Sequence, residues 1–183
     1  MNAELADDVL PPVRLSAPRI DRALARRIRV IGLDVDGVLT DGRLYYGAKG
    51  ETLKVFHVRD GHGIKAVAAA GVTVAIISGR KSAHVARRAR DLGIKHVLQG
   101  VNDKLAALNK LAAQLGLTLE HCVCVGDDTP DAPILAAAGL GVAVADAHAD
   151  ALSAADLATT RPGGHGAVRE VCDWLIAARG SRA

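Results

Sequence analysis

Apolar residues along this chain gather in short runs bounded by Gly, Asp or Ser, with helical stretches between them. Such runs read as buried strands, and a strand buried on both faces belongs to a parallel sheet. The organising run is Val30-Ile31-Gly32-Leu33, which rises into an acidic pair, Asp34 and Asp36, followed at once by Gly37. In parallel α/β sheets the working groups sit just beyond the carboxyl ends of the strands. Two carboxylates placed there are costly to desolvate unless a cation or a reaction requires them.

From Asp60 onward the pattern alternates. It predicts helix Gly63–Ala70 and strand Val72–Ile77, helix Ser82–Leu92 and strand Ile94–Leu98, then helix Asp103–Leu115 and strand Cys122–Val125. Helix Asp131–Ala138, strand Gly141–Val144, helix His148–Ala154, a short strand Leu157–Thr160 and a last helix Ala167–Ala178 complete the series. Gly93, Gly116 and Gly139 stand where helices should end. The predicted fold class is α/β, a doubly wound, Rossmann-like parallel sheet with right-handed crossovers. Before this series, Arg43–Val58 reads as a β-hairpin, and Thr40-Asp41-Gly42 leads into it. A lone hairpin is marginal in water, and Tyr45, Tyr46 and Phe56 on one invite a partner. This arm is expected to pack against other copies of the chain. Residues 1–15, with Pro11-Pro12, are expected to form a mobile leader. Pro18, after Ser16-Ala17, is expected to open a short helix through Ile28 whose Arg19, Arg22, Arg26 and Arg27 form a solvated face.

Composition narrows the class. The 183 residues suffice for one domain with a sizeable core, and residues 1–183 are read as one domain. The net charge of +3, from 23 basic and 20 acidic residues, is too balanced to argue for nucleic acid. No apolar run approaches the ~20 residues needed to span a bilayer. Glu4, Asp7 and Asp8 give an acidic start without a secretory pattern, so the expected location is cytoplasmic. Cys122, Cys124 and Cys172 form no metal or disulfide framework; Cys122 and Cys124 should face the same way and pack as small apolar groups.

Four strand ends carry polar groups to one edge of the predicted sheet: Asp34 and Asp36; Ser78-Gly79-Arg80; Lys104 at a helix start; and Gly126-Asp127-Asp128. Carboxylates, a hydroxyl beside Gly and a lysine make a site for phosphate and a hard cation. Mg²⁺ prefers a few carboxylates plus phosphate oxygens and water. Ser78 with the Gly79 amide, and Lys104, are placed to hold phosphate oxygens.

In this order, Asp34-x-Asp36-Gly37-Val38, Ser78, Lys104 and Gly126-Asp127-Asp128 resemble the four motifs of the haloacid dehalogenase-like phosphatase superfamily. The resemblance implies that Asp34 attacks phosphorus to form an aspartyl phosphate, and that Asp36 protonates the leaving alcohol and then deprotonates the hydrolytic water. It implies that Asp34, the backbone carbonyl of Asp36 and Asp127 hold Mg²⁺, with Asp128 nearby, while Ser78 and Lys104 serve catalysis. Too few residues separate the motifs to hold a cap domain, so the site is expected to be capless and covered by a neighbouring subunit.

Further segments, Phe56–Gly61, Val144–His148 and Gly163–Asp173, are similar to the small tetrameric branch that acts on 3-deoxy-D-manno-octulosonate 8-phosphate. That branch implies a homotetramer joined through the hairpin arm and a sugar acid phosphate substrate, with a place in lipopolysaccharide core synthesis. Such a substrate needs cations for its carboxylate as well as its phosphate, for which Arg59, Lys65, Arg80 and Arg88 are candidates. The loop His57, Val58, Arg59, Asp60, Gly61 is implied to contact substrate, together with Asp36, Gly79 and Lys104. The tail motif departs from the branch at His165, which stands where Arg or Lys is usual and, reaching a neighbour's site, would make binding pH-dependent. A nine-carbon sugar acid phosphate is the alternative substrate, and a non-catalytic binding or regulatory domain is the alternative of another class.

Overall fold

The computed structural model describes residues 20–180; the expected leader and the helix start at Pro18 lie outside them. In chain order the elements are α1 (Arg22–Arg27), β1 (Val30–Leu33), β2 (Tyr45–Gly47), β3 (Gly50–Leu53), α2 (Val58–Ala69) and β4 (Thr73–Ser78). They continue with α3 (Ala83–Leu92), β5 (His96–Gln99), α4 (Lys104–Gln114), β6 (Cys122–Gly126) and α5 (Ala132–Ala137). β7 (Leu140–Ala143), α6 (Ala149–Ala154), β8 (Leu157–Ala158) and α7 (Ala167–Arg179) complete them, with short 3₁₀ turns at Leu119–His121 and Thr129–Asp131.

β1 is buried along its whole length because it pairs in parallel on both sides, with β4 and with β6. The sheet order is β5-β4-β1-β6-β7-β8, and every pairing in it is parallel. The chain winds outward to β5, then returns past β1 to β8, so strand order reverses at β1, where α/β sheets open a crevice at their carboxyl edge. Helices cover both faces. One layer buries Ile31, Leu33, Ile64, Val67, Trp174 and Leu175 between sheet and helices. The other buries Val30, Ile77, Leu108, Cys122, Cys124 and Leu135. Each such aliphatic side chain contributes roughly 1.5–3 kcal/mol by leaving water. Cys122 and Cys124 share the second layer as expected, and burial pushes the Cys122 thiol up to about 11. No domain is inserted between the strands; between β1 and α2 stands only the antiparallel hairpin of β2 and β3.

Several boundaries differ from the sequence expectation for physical reasons. α1 starts at Arg22, where the Asp21 carboxylate accepts from the Leu24 amide at 3.1 Å. α2 begins at Val58 instead of Gly63, capped by His57, whose Nδ1 accepts from the Arg59 amide at 3.2 Å. The sequence expectation starts this helix at Gly63, yet Gly61 and Gly63 both lie inside it, as contact points. A side chain at Gly61 would strike the Arg88 guanidinium, and one at Gly63 would come within 2.9 Å of Arg169 on α7. Gly139 does not end its helix in a left-handed turn; a Cβ there would collide with the Glu120 carbonyl. β8 stops at Ala158 because the Thr159 hydroxyl donates to the Arg161 carbonyl and the Thr160 amide donates to Glu170.

Candidate active site

The Asp34 amide donates to the Val125 carbonyl at 3.1 Å, one step past the β1–β6 ladder, so Asp34 emerges at the carboxyl edge of the central strand. The chain then turns through Gly37, whose φ of +95° suits glycine and whose missing side chain admits Asp127: a Cβ there would collide with the Asp127 carboxylate. Thr40 ties this turn, its hydroxyl accepting from the Gly37 and Gly42 amides at 3.4 and 3.3 Å and donating to the Val35 carbonyl at 3.3 Å. The glycine tail docks on the same turn, with the Gly164 amide donating to the Val38 carbonyl at 3.0 Å. His165 stays exposed, its Nδ1 2.8 Å from the Gly163 carbonyl.

Three carboxylates, Asp34, Asp127 and Asp131, offer oxygens within 4.8 Å of one another. Lys104, the first residue of α4, sets its Nζ 3.0 Å from Asp34 Oδ1 and 2.6 Å from Asp131 Oδ1. The other Asp131 oxygen accepts from the Asp127 and Asp128 amides at 3.2 and 3.3 Å. Burial pushes the Asp34 carboxyl up to about 6, against the pull of Lys104 and with a further push from Asp131. Burial pushes Asp127 up to about 8, with Asp34 and Asp131 adding to it. Burial alone would lower the Lys104 ammonium, but the charges of Asp34 and Asp131 reverse this and raise it. One ammonium therefore faces three crowded carboxylates. Oxygen donors with surplus negative charge suit a hard divalent cation, so Asp34 and Asp127 fit such an ion at this edge.

Asp36 belongs to a second group of charges. Lys54 Nζ pairs with Asp36 Oδ1, and Arg80 Nη1 lies 3.5 Å from Asp36 Oδ2. Glu51 closes the group, its Oε1 3.1 Å from Lys54 Nζ and 3.6 Å from Arg80 Nη2. Ser78 ends β4 buried, with its Oγ 3.4 Å from the Arg80 amide, and Gly79 beside it is exposed.

The structure thus sets Asp34, Lys104 and Asp127 in one group and Asp36 with Arg80 in a second, the two joined through the chain at Asp34-Val35-Asp36. It places the other predicted residues differently. Asp128 turns outward to accept from the Thr129 amide at 2.7 Å, and Asp131 takes the inner position. Asp60 is buried, accepting from the Arg169 amide at 2.8 Å, and burial raises its carboxyl above the ordinary range. Arg88 lies 5.9 Å over the Phe56 ring and against Gly61. Arg59, Lys65 and Val58 are exposed, His57 caps α2 and Gly61 is buried. Among the described residues no ion pair joins Arg59, Lys65 or Arg88 to the Asp34 cluster. Sequence reasoning missed Asp131, Lys54 and Glu51. Asp131 had a signal, lying four residues after Asp127 across Pro130, but it read as the start of a helix. For Lys54 the signal was its place between two apolar residues, Leu53 and Val55.

The haloacid dehalogenase-like hydrolase family matches residues 96–170. The 3-deoxy-D-manno-octulosonate 8-phosphate phosphatase KdsC of Escherichia coli is 49% identical over 158 residues, covering 86% of this chain and 84% of that protein. The crystal structure of the phosphatase of the same name from Moraxella catarrhalis, in complex with magnesium, phosphate and KDO, is similar at a TM-score of 0.84 and 43% identity. That match covers 87% of this chain and 91% of the other. The cobalt-bound enzyme from Haemophilus influenzae gives a TM-score of 0.83 at 45% identity, covering 86% of this chain and 92% of the other. With the motif residues assembled at one sheet edge and relatives this similar over this length, the chain belongs to the family of 3-deoxy-D-manno-octulosonate 8-phosphate phosphatases, within the haloacid dehalogenase-like hydrolases.

Proposed function

We propose that this chain is a Mg²⁺-dependent phosphatase that hydrolyses 3-deoxy-D-manno-octulosonate 8-phosphate to the free sugar acid and phosphate. The observation that carries the reading is the Asp34 carboxylate, buried at the end of the central strand, 3.0 Å from Lys104 and grouped with Asp127 and Asp131. In this reading an Asp34 oxygen attacks phosphorus as the bond to the sugar oxygen breaks, and Asp36 gives that oxygen its proton. Water then attacks the aspartyl phosphate, the bond to Asp34 breaks, and Asp36 takes the proton back. Lys104, and Ser78 with the Gly79 amide, hold the phosphate oxygens. Asp34, the Asp36 carbonyl and Asp127 hold the cation. Bound there, Mg²⁺ screens the repulsion between two anionic reactants and polarises the phosphoryl group.

The sugar acid end is assigned to Arg80, which already lies at the crevice, and to His57, Val58, Arg59, Asp60, Gly61, Lys65 and Arg88 along and beside α2. Among the described residues, those around α2 make no ion pair with the Asp34 cluster, which is compatible with a site completed by a neighbouring copy. The hairpin and the segment leading from it favour such a copy: Tyr46 is 65% exposed, Leu53 50%, Val55 51%, and Val58 at the start of α2 78%. We therefore propose a homotetramer assembled through this arm, acting in the cytoplasm. No described helix is long and apolar enough to cross a membrane.

Phosphate release under Mg²⁺ from the eight-carbon substrate and from a nine-carbon sugar acid 9-phosphate, at matched concentration, tests the reading. Preference for the eight-carbon ester is expected. Preference for the nine-carbon ester would reassign the substrate, and release from neither would favour a binding domain.

A further inference from the structure

Among the described residues two lysines are buried: Lys104, whose place in the phosphatase reading is clear, and Lys54, whose side chain is only 1% exposed. Burying an ammonium costs several kcal/mol unless it is paired. Here the cost stands next to a cheap alternative, because Leu53 and Val55 on either side face water while the lysine faces in. An alternation with the charge inside and the apolar residues outside runs against what folding alone favours. Lys54 is held from two directions, by Asp36 Oδ1 and by Glu51 Oε1 at 3.1 Å. Arg80 Nη1 lies 3.5 Å from the other Asp36 oxygen, beyond hydrogen-bond length, and is buried without a hydrogen-bond partner, so it remains free to take an incoming anion. Lys54 has no such freedom.

We propose that Lys54 is a positioning residue for Asp36: it fixes Oδ1 and so aims Oδ2 at the oxygen that leaves phosphorus. Glu51 in turn holds Lys54. This deepens the phosphatase reading and rests on Asp36 as the group that donates the proton to the leaving sugar oxygen. The lysine keeps its own protons throughout; the proton that moves is the one on Asp36 Oδ2, which passes to the departing oxygen as the phosphorus–oxygen bond breaks.

The test uses a difference in leaving groups. A sugar alkoxide needs a proton as it departs, whereas p-nitrophenolate leaves without one. With the full chain and saturating Mg²⁺, kcat/KM is measured for 3-deoxy-D-manno-octulosonate 8-phosphate and for p-nitrophenyl phosphate, because kcat/KM reports the step in which the leaving group departs. Lys54→Met is expected to lose about 100-fold on the sugar ester and less than about 3-fold on the nitrophenyl ester, in line with the size of general-acid effects. Asp36→Asn should show the same split, and adding Lys54→Met to it should not widen the split further. A split in Asp36→Asn without one in Lys54→Met overturns this inference alone. No split in Asp36→Asn overturns the role of Asp36, and the inference with it. Should Lys54→Met not fold, Glu51→Gln removes the charge that holds Lys54; a split of about 3- to 10-fold supports the proposal and equal losses on both esters overturn it.

Discussion

Asp131 offers the sharpest contrast with the motif as written, because Asp128 occupies the conspicuous position and Asp131 the inner one. Asp131 is 2% exposed and accepts three hydrogen bonds, from Lys104 and from the amides of Asp127 and Asp128. Replacing it with Asn keeps the shape but turns one acceptor into a donor, which must then face either the Lys104 ammonium or two backbone N–H groups. The turn has little room to relax, since a Cβ at Gly126 would already collide with the Asp131 side chain. Breaking a buried charge pair by removing one partner costs about 3–5 kcal/mol. Lys104 keeps Asp34 at 3.0 Å, which places Asp131→Asn toward or below the low end, at about 2–3 kcal/mol. In a domain of this size that lowers Tm by roughly 4–12 °C. Asp128→Asn, at an exposed cap, should stay within about 0.5 kcal/mol of the parent. Urea unfolding of both variants measures the difference. Equal losses in the two, or a loss below about 0.5 kcal/mol in Asp131→Asn, would refute the inner position of Asp131 and its hold on Lys104.

Gly37→Ala forces a side chain into a backbone at φ +95° and into Asp127. It should cost about 1–3 kcal/mol of stability and weaken Mg²⁺ binding by about tenfold or more, which titration calorimetry reads directly; unchanged affinity would count against Asp127 as a ligand. The pH dependence of Mg²⁺ stabilisation has a definite sign. Burial lifts Asp34 to about 6 and Asp127 to about 8, above the ordinary 3.8, so the metal-free fold binds these protons more tightly than the unfolded chain. Metal-free stability should therefore fall as pH rises from about 4 through about 8, and the rise in Tm on adding Mg²⁺ should be larger at about pH 8.5 than at about pH 5.5. A smaller rise at the higher pH contradicts this. Finally, Leu53→Glu combined with Val55→Glu should reduce the assembled mass seen in sedimentation, and an unchanged mass would place the subunit interface elsewhere.

The central strand was legible because a continuous apolar run ending in Asp34 admits few structures other than a doubly covered parallel strand. The edge groups Ser78, Lys104 and Asp127 followed from their places at the ends of further runs. What escaped notice depended on tertiary contact. Gly61 and Gly63 look the same in sequence whether they break a helix or let two helices touch, and only the positions of Arg88 and Arg169 decide between them. Asp131 reads locally as a helix start, and its real partner, Lys104, is 27 residues away in sequence. Lys54 stands between Leu53 and Val55 just past the end of β3, and only its tertiary partner shows which way it faces. The facing residue, Asp36, is 18 positions earlier and across the hairpin.

Asp34 as the nucleophile is the central claim, and one comparison tests it most directly. Phosphate release from 3-deoxy-D-manno-octulosonate 8-phosphate under Mg²⁺ is measured for the parent chain and for Asp34→Asn, with folding of the variant verified by its thermal transition. The parent should turn over, and the variant should lose about 10⁴-fold or more in kcat, as removal of a nucleophile does. A folded Asp34→Asn chain that releases phosphate at the parent's rate would contradict the central claim.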